Sequence, residues 1–263
     1  MYDRVETDAS LRYLHRLVDE LRTDYCLIGG WAVHYTVKDA YENEVGRPYL
    51  GSRDIDIGLP DVTSFKKAER YILGDLRFER VSFRYLRHLD HDTGKEVPTE
   101  DARQAPMYML IPMYIDAMLP RAGKDVTEQL GFTPPDEPLL GPIFHDRDNT
   151  QRIQIDGRTV RVPRPQFLIA MKINAMGNRT MDHKKVKDIC DLAALCLYGG
   201  KDMGAVVRES LTLCDPEKLQ RSKAAVTSQD LAQVAATLDI PKDIIGALLE
   251  RFGIGKKGSA DRQ

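Results

Sequence analysis

The sequence predicts an α+β protein in which a small sheet flanked by helices is followed by a mostly helical C-terminal half. Between residues 25 and 119, short apolar segments with the two-residue period of strands alternate with segments of helical period. Residues 152–163, RIQIDGRTVRVP, have the pattern of a hairpin closed by Asp156-Gly157. Beyond Pro163 nearly everything to residue 251 reads as helix. The expected division is therefore a first domain over 1–163, a helical domain over 164–252 and a disordered tail over 253–263.

Taken in order, residues 9–22 place Leu11, Leu14, Leu17, Val18 and Leu21 at helical spacing, with Ser10 as the cap. YCLIGG, residues 25–30, is a short buried strand ending in glycine, and 31–38 start a helix. DAYENEVGRPYLG, residues 39–51, is polar and turn-rich, so a loop or small hairpin is expected there. RDIDIGL, residues 53–59, is a half-buried strand, 61–74 a helix begun by an Asp cap, and 77–89 a further strand. A charged loop follows over 90–105, then a central strand over 106–119 interrupted by Pro112, then an irregular stretch over 120–150.

Composition excludes several classes of function. A formal net charge of −2 over 263 residues rules out a uniformly basic nucleic-acid coat, though not a local basic groove. No run approaches the ~18 apolar residues of a membrane span, and the charged, amphipathic N-terminus is unlike a secretory signal. Cys26, Cys190, Cys196 and Cys214 sit in apolar stretches without metal-finger spacing. They read as reduced core residues of a cytoplasmic protein with no membrane partner.

The acids carry the chemistry. On a strand, residues i and i+2 share a face, so Asp54 and Asp56 project together while Ile55 and Ile57 point into the core. Two such charges ~4–6 Å apart repel by about 3–4 kcal/mol at an effective dielectric of ~20. A basic side chain, protonation of one acid or a bridging divalent cation relieves that repulsion, and Mg²⁺ suits a few carboxylates plus phosphate oxygens. Asp116, in MYIDAML, has almost no polar company and needs a partner. Arg53, Arg84 or a tyrosine hydroxyl could supply one as a structural ion pair. Alternatively, three acids on two adjacent strands form the set that two-metal phosphoryl transfer requires, with Asp116 also helping to deprotonate the nucleophile. Gly29-Gly30, between a strand and a helix, lets backbone approach a phosphate closely. The HLDHD stretch, residues 88–92, is read as an ordinary charged loop.

These segments, LIGGWAVHYTV, GSRDIDI and YIDAML, resemble the nucleotidyltransferase fold of the DNA polymerase β superfamily: an apolar strand, Gly-Gly or Gly-Ser, Asp-x-Asp, then a third Asp. The resemblance implies a small mixed sheet. PQFLIAMKINAMGNRTMDHKKVKDICDLAAL, residues 165–195, is similar to the Lys-x-x-Ala…Arg…Lys-Asp-x-x-Asp-Leu pattern of AbiEii-like nucleotidyltransferases, toxin components of abortive-infection and toxin–antitoxin systems. SRDIDI is similar to that family's Arg-x-Ser-x-Asp-Ile-Asp element, with Arg53 here directly after Ser52.

The resemblance implies that Asp54, Asp56 and Asp116 hold two Mg²⁺ (or Mn²⁺). Gly29, Gly30, Ser52, Arg53, Lys172, Asp188 and Asp191 would bind a nucleoside triphosphate. It implies transfer of a nucleoside monophosphate to a hydroxyl of an RNA end (transfer RNA in some members) or of a protein, with a cognate antitoxin as restraint. A small-molecule transferase of the aminoglycoside type, or a catalytically silent binding protein of the same fold, remains open. On residue patterns alone, Lys172 is a half-buried lysine, and Asp188 and Asp191 face away from the Val186, Ile189, Ala193 and Cys196 stripe in exposed ion pairs with Lys184 and Lys187. The resemblance instead implies that the two aspartates hold Lys172 or Arg179, or bind the nucleotide directly. Arg179, His183, Lys184 and Lys185 would form a positive wall suited to triphosphate or an RNA end.

Overall fold

The computed structural model describes residues 2–200 and 202–255. Its first helix, α1 (Arg4–Glu20), starts earlier than the leucine spacing suggests, because Asp3 and Glu6 form a capping box. Ser10 is buried within that helix and accepts the indole N–H of Trp31 at 2.9 Å, so it is not the cap. Strand β1 (Cys26–Ile28) runs into α2 (Gly29–Val45). Next come β2 (Ile55–Gly58) and α3 (Val62–Gly74), the latter capped by Asp61 as its sequence indicates.

The stretch read as one strand over 77–89 is two, β3 (Glu79–Val81) and β4 (Arg84–Asp90), reversed at Ser82, whose φ is +59°. The charged loop contains a short helix, α4 (Thr99–Gln104), before β5 (Leu110–Met118). The irregular stretch holds α5 (Lys124–Leu130) and α6 (Leu140–His145). The hairpin forms as expected, β6 (Thr150–Ile155) and β7 (Arg158–Pro163), with φ positive at both Asp156 and Gly157.

The sheet order is β1-β2-β5-β4-β3, with β2 and β5 parallel and the other neighbours antiparallel, so the sheet is mixed. β5 is the middle strand. Pro112 sits in the part of β5 that β2 does not flank, since β2 pairs only with Ile115–Met118, and there a missing N–H is tolerated. Among the described residues six helices follow: α7 (Pro165–Met176), α8 (Asp182–Tyr198), α9 (Met203–Leu213), α10 (Pro216–Ala225), α11 (Ser228–Leu238) and α12 (Lys242–Glu250).

The chain divides into two compact units. One comprises Tyr2–Tyr35 and Leu50–Pro163; the other comprises Thr36–Tyr49 and the described residues from Arg164 onward. Residues 39–45, expected as loop, are the last turns of α2. Their helicity follows from Tyr41, which is fully buried against the rings of Tyr49 and Tyr198 and donates its hydroxyl to the Leu238 carbonyl at 2.8 Å. Tyr41→Phe strands that buried carbonyl, and a loss of about 1–2 kcal/mol is expected in urea unfolding. An unmoved midpoint would show that the carbonyl finds another donor.

Of the tail, Ile254 is buried and its N–H donates to Leu249, so 253–255 belong to the fold. Residues 256–263 of the expected tail lie outside the described residues. All four cysteines are free and buried, and among the described residues no helix is long and apolar enough to cross a membrane.

Candidate active site

Asp56 and Asp116 are register partners on the parallel strands β2 and β5, so their side chains leave the same face of the sheet side by side. Asp54 lies two residues before Asp56 and shares that face, while Ile55 and Ile57 are fully buried on the other. Asp56 and Asp116 are therefore neighbours across the two strands, and Asp54 and Asp116 are both buried.

The glycine bend closes the site from the side of β1. Gly29 has φ +67°, a left-handed conformation that favours glycine. A Cβ there would overlap the Asp56 carboxylate, lying 2.7 Å from its Cγ. The bend and the acid are thus fitted to one another, which gives the Gly-Gly pair a second reason beyond phosphate approach. Gly29→Ala is expected to cost about 2–5 kcal/mol from backbone strain and crowding together. Gly46→Ala is the control. Gly46 has φ +78° but open space around it, so its loss should stay near the strain alone. Equal losses in the two variants would remove the contact with Asp56 from the account.

Arg84, on β4, stands between Asp54 and Asp116. Continuing the antiparallel register of β4 and β5 brings it level with Asp116. Its Nε and Nη2 donate to the two oxygens of Asp116, each at 2.7 Å, and Nη2 also lies 3.3 Å from Asp54 Oδ2. Its guanidinium stacks on the Tyr114 ring, 3.8 Å from the centroid. Burial by itself would lower the pKa of this guanidinium. The hydrogen bonds and charges of Asp116 and Asp54 outweigh that and raise it.

Among the described residues no group of three or more His, Cys, Asp or Glu side chains converges to hold a metal ion as it stands. A guanidinium takes the bridging place between Asp54 and Asp116. The donor chemistry nevertheless fits Mg²⁺, for all three acids offer hard oxygens from one face.

The flanking residues serve the loop that presents Asp54. The Ser52 hydroxyl donates to the Asp54 backbone carbonyl at 3.1 Å. Arg53 lies 3.4 Å from Asp54 Oδ1, pairs with Glu6 at 3.2 Å and stacks on Tyr2. Gly30 continues into α2, and Trp31 turns into the core towards α1. Arg84 was readable only as one of three ways to satisfy Asp116, because its place depends on strand pairing. Glu6 and Tyr2 left no signal, since nothing local links residues 2–6 to residue 53.

Lys172, Asp188 and Asp191 are brought together in the helical unit, and they are inside it. Asp191 is fully buried and Asp188 is 2% exposed, so the expectation of outward-facing, exposed ion pairs is corrected. Lys172 Nζ lies 2.9 Å from Asp188 Oδ1 and 2.6 Å from Asp191 Oδ2. Lys187 pairs with Asp191, the Tyr49 hydroxyl donates to Asp191 at 2.8 Å, and Arg179 Nε reaches Asp188 at 2.6 Å. Both faces of α8 are covered, so polar side chains off the apolar stripe are buried too, and they survive there by pairing. Burial pulls Lys172 down and Asp191 up in pKa. The opposite charges prevail, leaving Lys172 raised and Asp191 lowered. Of the expected positive wall, Arg179 is engaged with Asp188 and Lys185 with Asp230.

No protein-family model and no curated protein matches the chain. Among solved structures it is similar to the crystal structure of an antigenic nucleotidyltransferase-like protein from Paracoccidioides brasiliensis, with 14% identity over 89% of this chain and 93% of that one. The TM-score of 0.38 is too low for that likeness to bear on function.

Proposed function

We propose that the chain is a metal-dependent nucleotidyltransferase that moves a nucleoside monophosphate from a nucleoside triphosphate to an acceptor hydroxyl. The observation that carries this reading is the register pairing of Asp56 with Asp116, with Asp54 on the same face and the Gly29 bend against Asp56. Bound Mg²⁺ would neutralise phosphate charge and make the acceptor hydroxyl easier to deprotonate. Asp54, Asp56 and Asp116 would hold it. Asp116 sits beside Asp56 where it would take the proton of the attacking oxygen. That oxygen bonds to the α-phosphorus as the bond to the β-phosphate oxygen breaks, and pyrophosphate leaves with that electron pair. Gly29 and Gly30, at the start of α2, would present backbone N–H groups to the phosphates.

The acceptor is proposed to be an RNA end or a protein hydroxyl, and a toxin held by an antitoxin is proposed with it. Both rest on the AbiEii-like pattern of residues 165–195. The test is incubation with each α-labelled nucleotide, Mg²⁺ and total RNA: label in RNA or in protein supports the reading and names the acceptor. Absence of label in either, for every nucleotide, overturns it.

One observation favours a second reading. The Arg84 guanidinium already neutralises two of the three acids. A catalytically silent protein would keep that arrangement permanently, and calorimetry would then find no cation-dependent nucleotide binding.

A further inference from the structure

We propose that Arg84 is an exchangeable internal cation: it holds the place of a divalent ion between Asp54 and Asp116 in the nucleotide-free protein and passes to the nucleotide's phosphates when the ion enters. The inference rests on the metal-dependent reading above and adds to it a residue and a coupling between ligands. The contacts are those of a substitute counter-ion. One nitrogen, Nη2, touches oxygens of both carboxylates, at 2.7 and 3.3 Å, which is the bridging role a divalent cation would have.

Arg84 is also able to leave. Its side chain is 24% exposed, against 13% for Asp116 and 11% for Asp54, so of the three groups it is the least covered by the fold. The Tyr114 face, 3.8 Å away, supports the guanidinium independently of the carboxylates. A planar fork matched to a carboxylate also matches a phosphate, so a triphosphate arriving with the ion offers the displaced group an equivalent partner.

The consequence is thermodynamic coupling. A divalent ion arriving alone must displace Arg84 and leave it without its acids, so it binds weakly. An ion arriving with nucleotide does not, so each ligand tightens the other.

Mn²⁺ binding to the full chain, followed by electron paramagnetic resonance and calorimetry with and without a non-hydrolysable nucleoside triphosphate, tests this. Arg84→Gln should bind Mn²⁺ alone about tenfold tighter than the unaltered protein, and the tightening caused by nucleotide should shrink by a similar factor. Arg84→Lys, which keeps a charge but cannot fork, should fall between. Unchanged or weaker Mn²⁺ binding in a folded Arg84→Gln overturns the proposal. If Arg84→Gln melts only when Mn²⁺ is present, that rescue supports it; if Mn²⁺ fails to restore a melt, Arg84→Lys decides, and affinity equal to the unaltered protein overturns it. Asp116→Asn in the Arg84→Gln background separates the two levels. Loss of Mn²⁺ binding there keeps the carboxylate site whatever Arg84 does, whereas undiminished binding defeats the metal-centre reading and this inference with it.

Discussion

Asp56→Asn is expected to lose at least about a thousandfold in transfer from labelled nucleotide, roughly 4 kcal/mol of transition-state stabilisation, while its melt moves by no more than a few degrees. The amide keeps the shape of the carboxylate, so the fit against Gly29 survives. It removes one of three like charges on one sheet face, which favours the fold. What disappears is the anionic oxygen that the proposed chemistry requires. Asp116→Asn should behave differently, because it also breaks the two-pronged contact with Arg84 and leaves that guanidinium half-paired. Activity and stability should then fall together. Chelation of divalent ions in the same assay should reproduce the Asp56→Asn loss without any substitution. Full transfer by Asp56→Asn would defeat the assignment of the acids to catalysis.

Lys172→Met is expected to destabilise the protein by about 3–5 kcal/mol, read as a lower denaturant midpoint. The methionine fits the volume of the lysine stem, but Asp188 and Asp191, 3% and 0% exposed in their side chains, lose a shared counter-charge. The pH dependence follows from the shifted groups. Asp191 is held below its ordinary value, so its contribution is complete above an unfolded carboxylate pKa near ~3.9 and fades as pH falls through the lower folded value. Lys172 is raised, so its contribution is complete below an unfolded lysine pKa near ~10.4 and fades as pH rises through the higher folded value. The difference between the two proteins should therefore be widest near neutrality and narrow in acid as Asp191 becomes protonated. A pH-independent difference would indicate lost packing rather than lost charge.

Local patterns carried far in this chain. The Asp61 cap, the Asp156-Gly157 turn and the alternation of Asp54, Ile55, Asp56 and Ile57 are each decided within a few residues, and each stands where the sequence places it. Errors arose where distant partners decided. Residues 39–45 are polar enough to read as loop, yet Tyr41 finds Tyr49, Tyr198 and the Leu238 carbonyl, and the helix persists. The reversal at Ser82 is hidden because a serine there carries no strong turn signal. Asp188 and Asp191 look like surface residues by helical spacing and become core residues because helices cover α8 beyond its apolar stripe.

By itself the sequence determined the alternation of Asp54, Ile55, Asp56 and Ile57 and the glycine bend after β1, because alternation and turn chemistry are local consequences of backbone geometry. Only the tertiary structure decided which cation stands among those acids. Arg84 is 30 residues from Asp54 and 32 from Asp116, and no periodicity links charges at that separation. Strand pairing does, since the register of β4 against β5 converts distance along the chain into contact across the sheet.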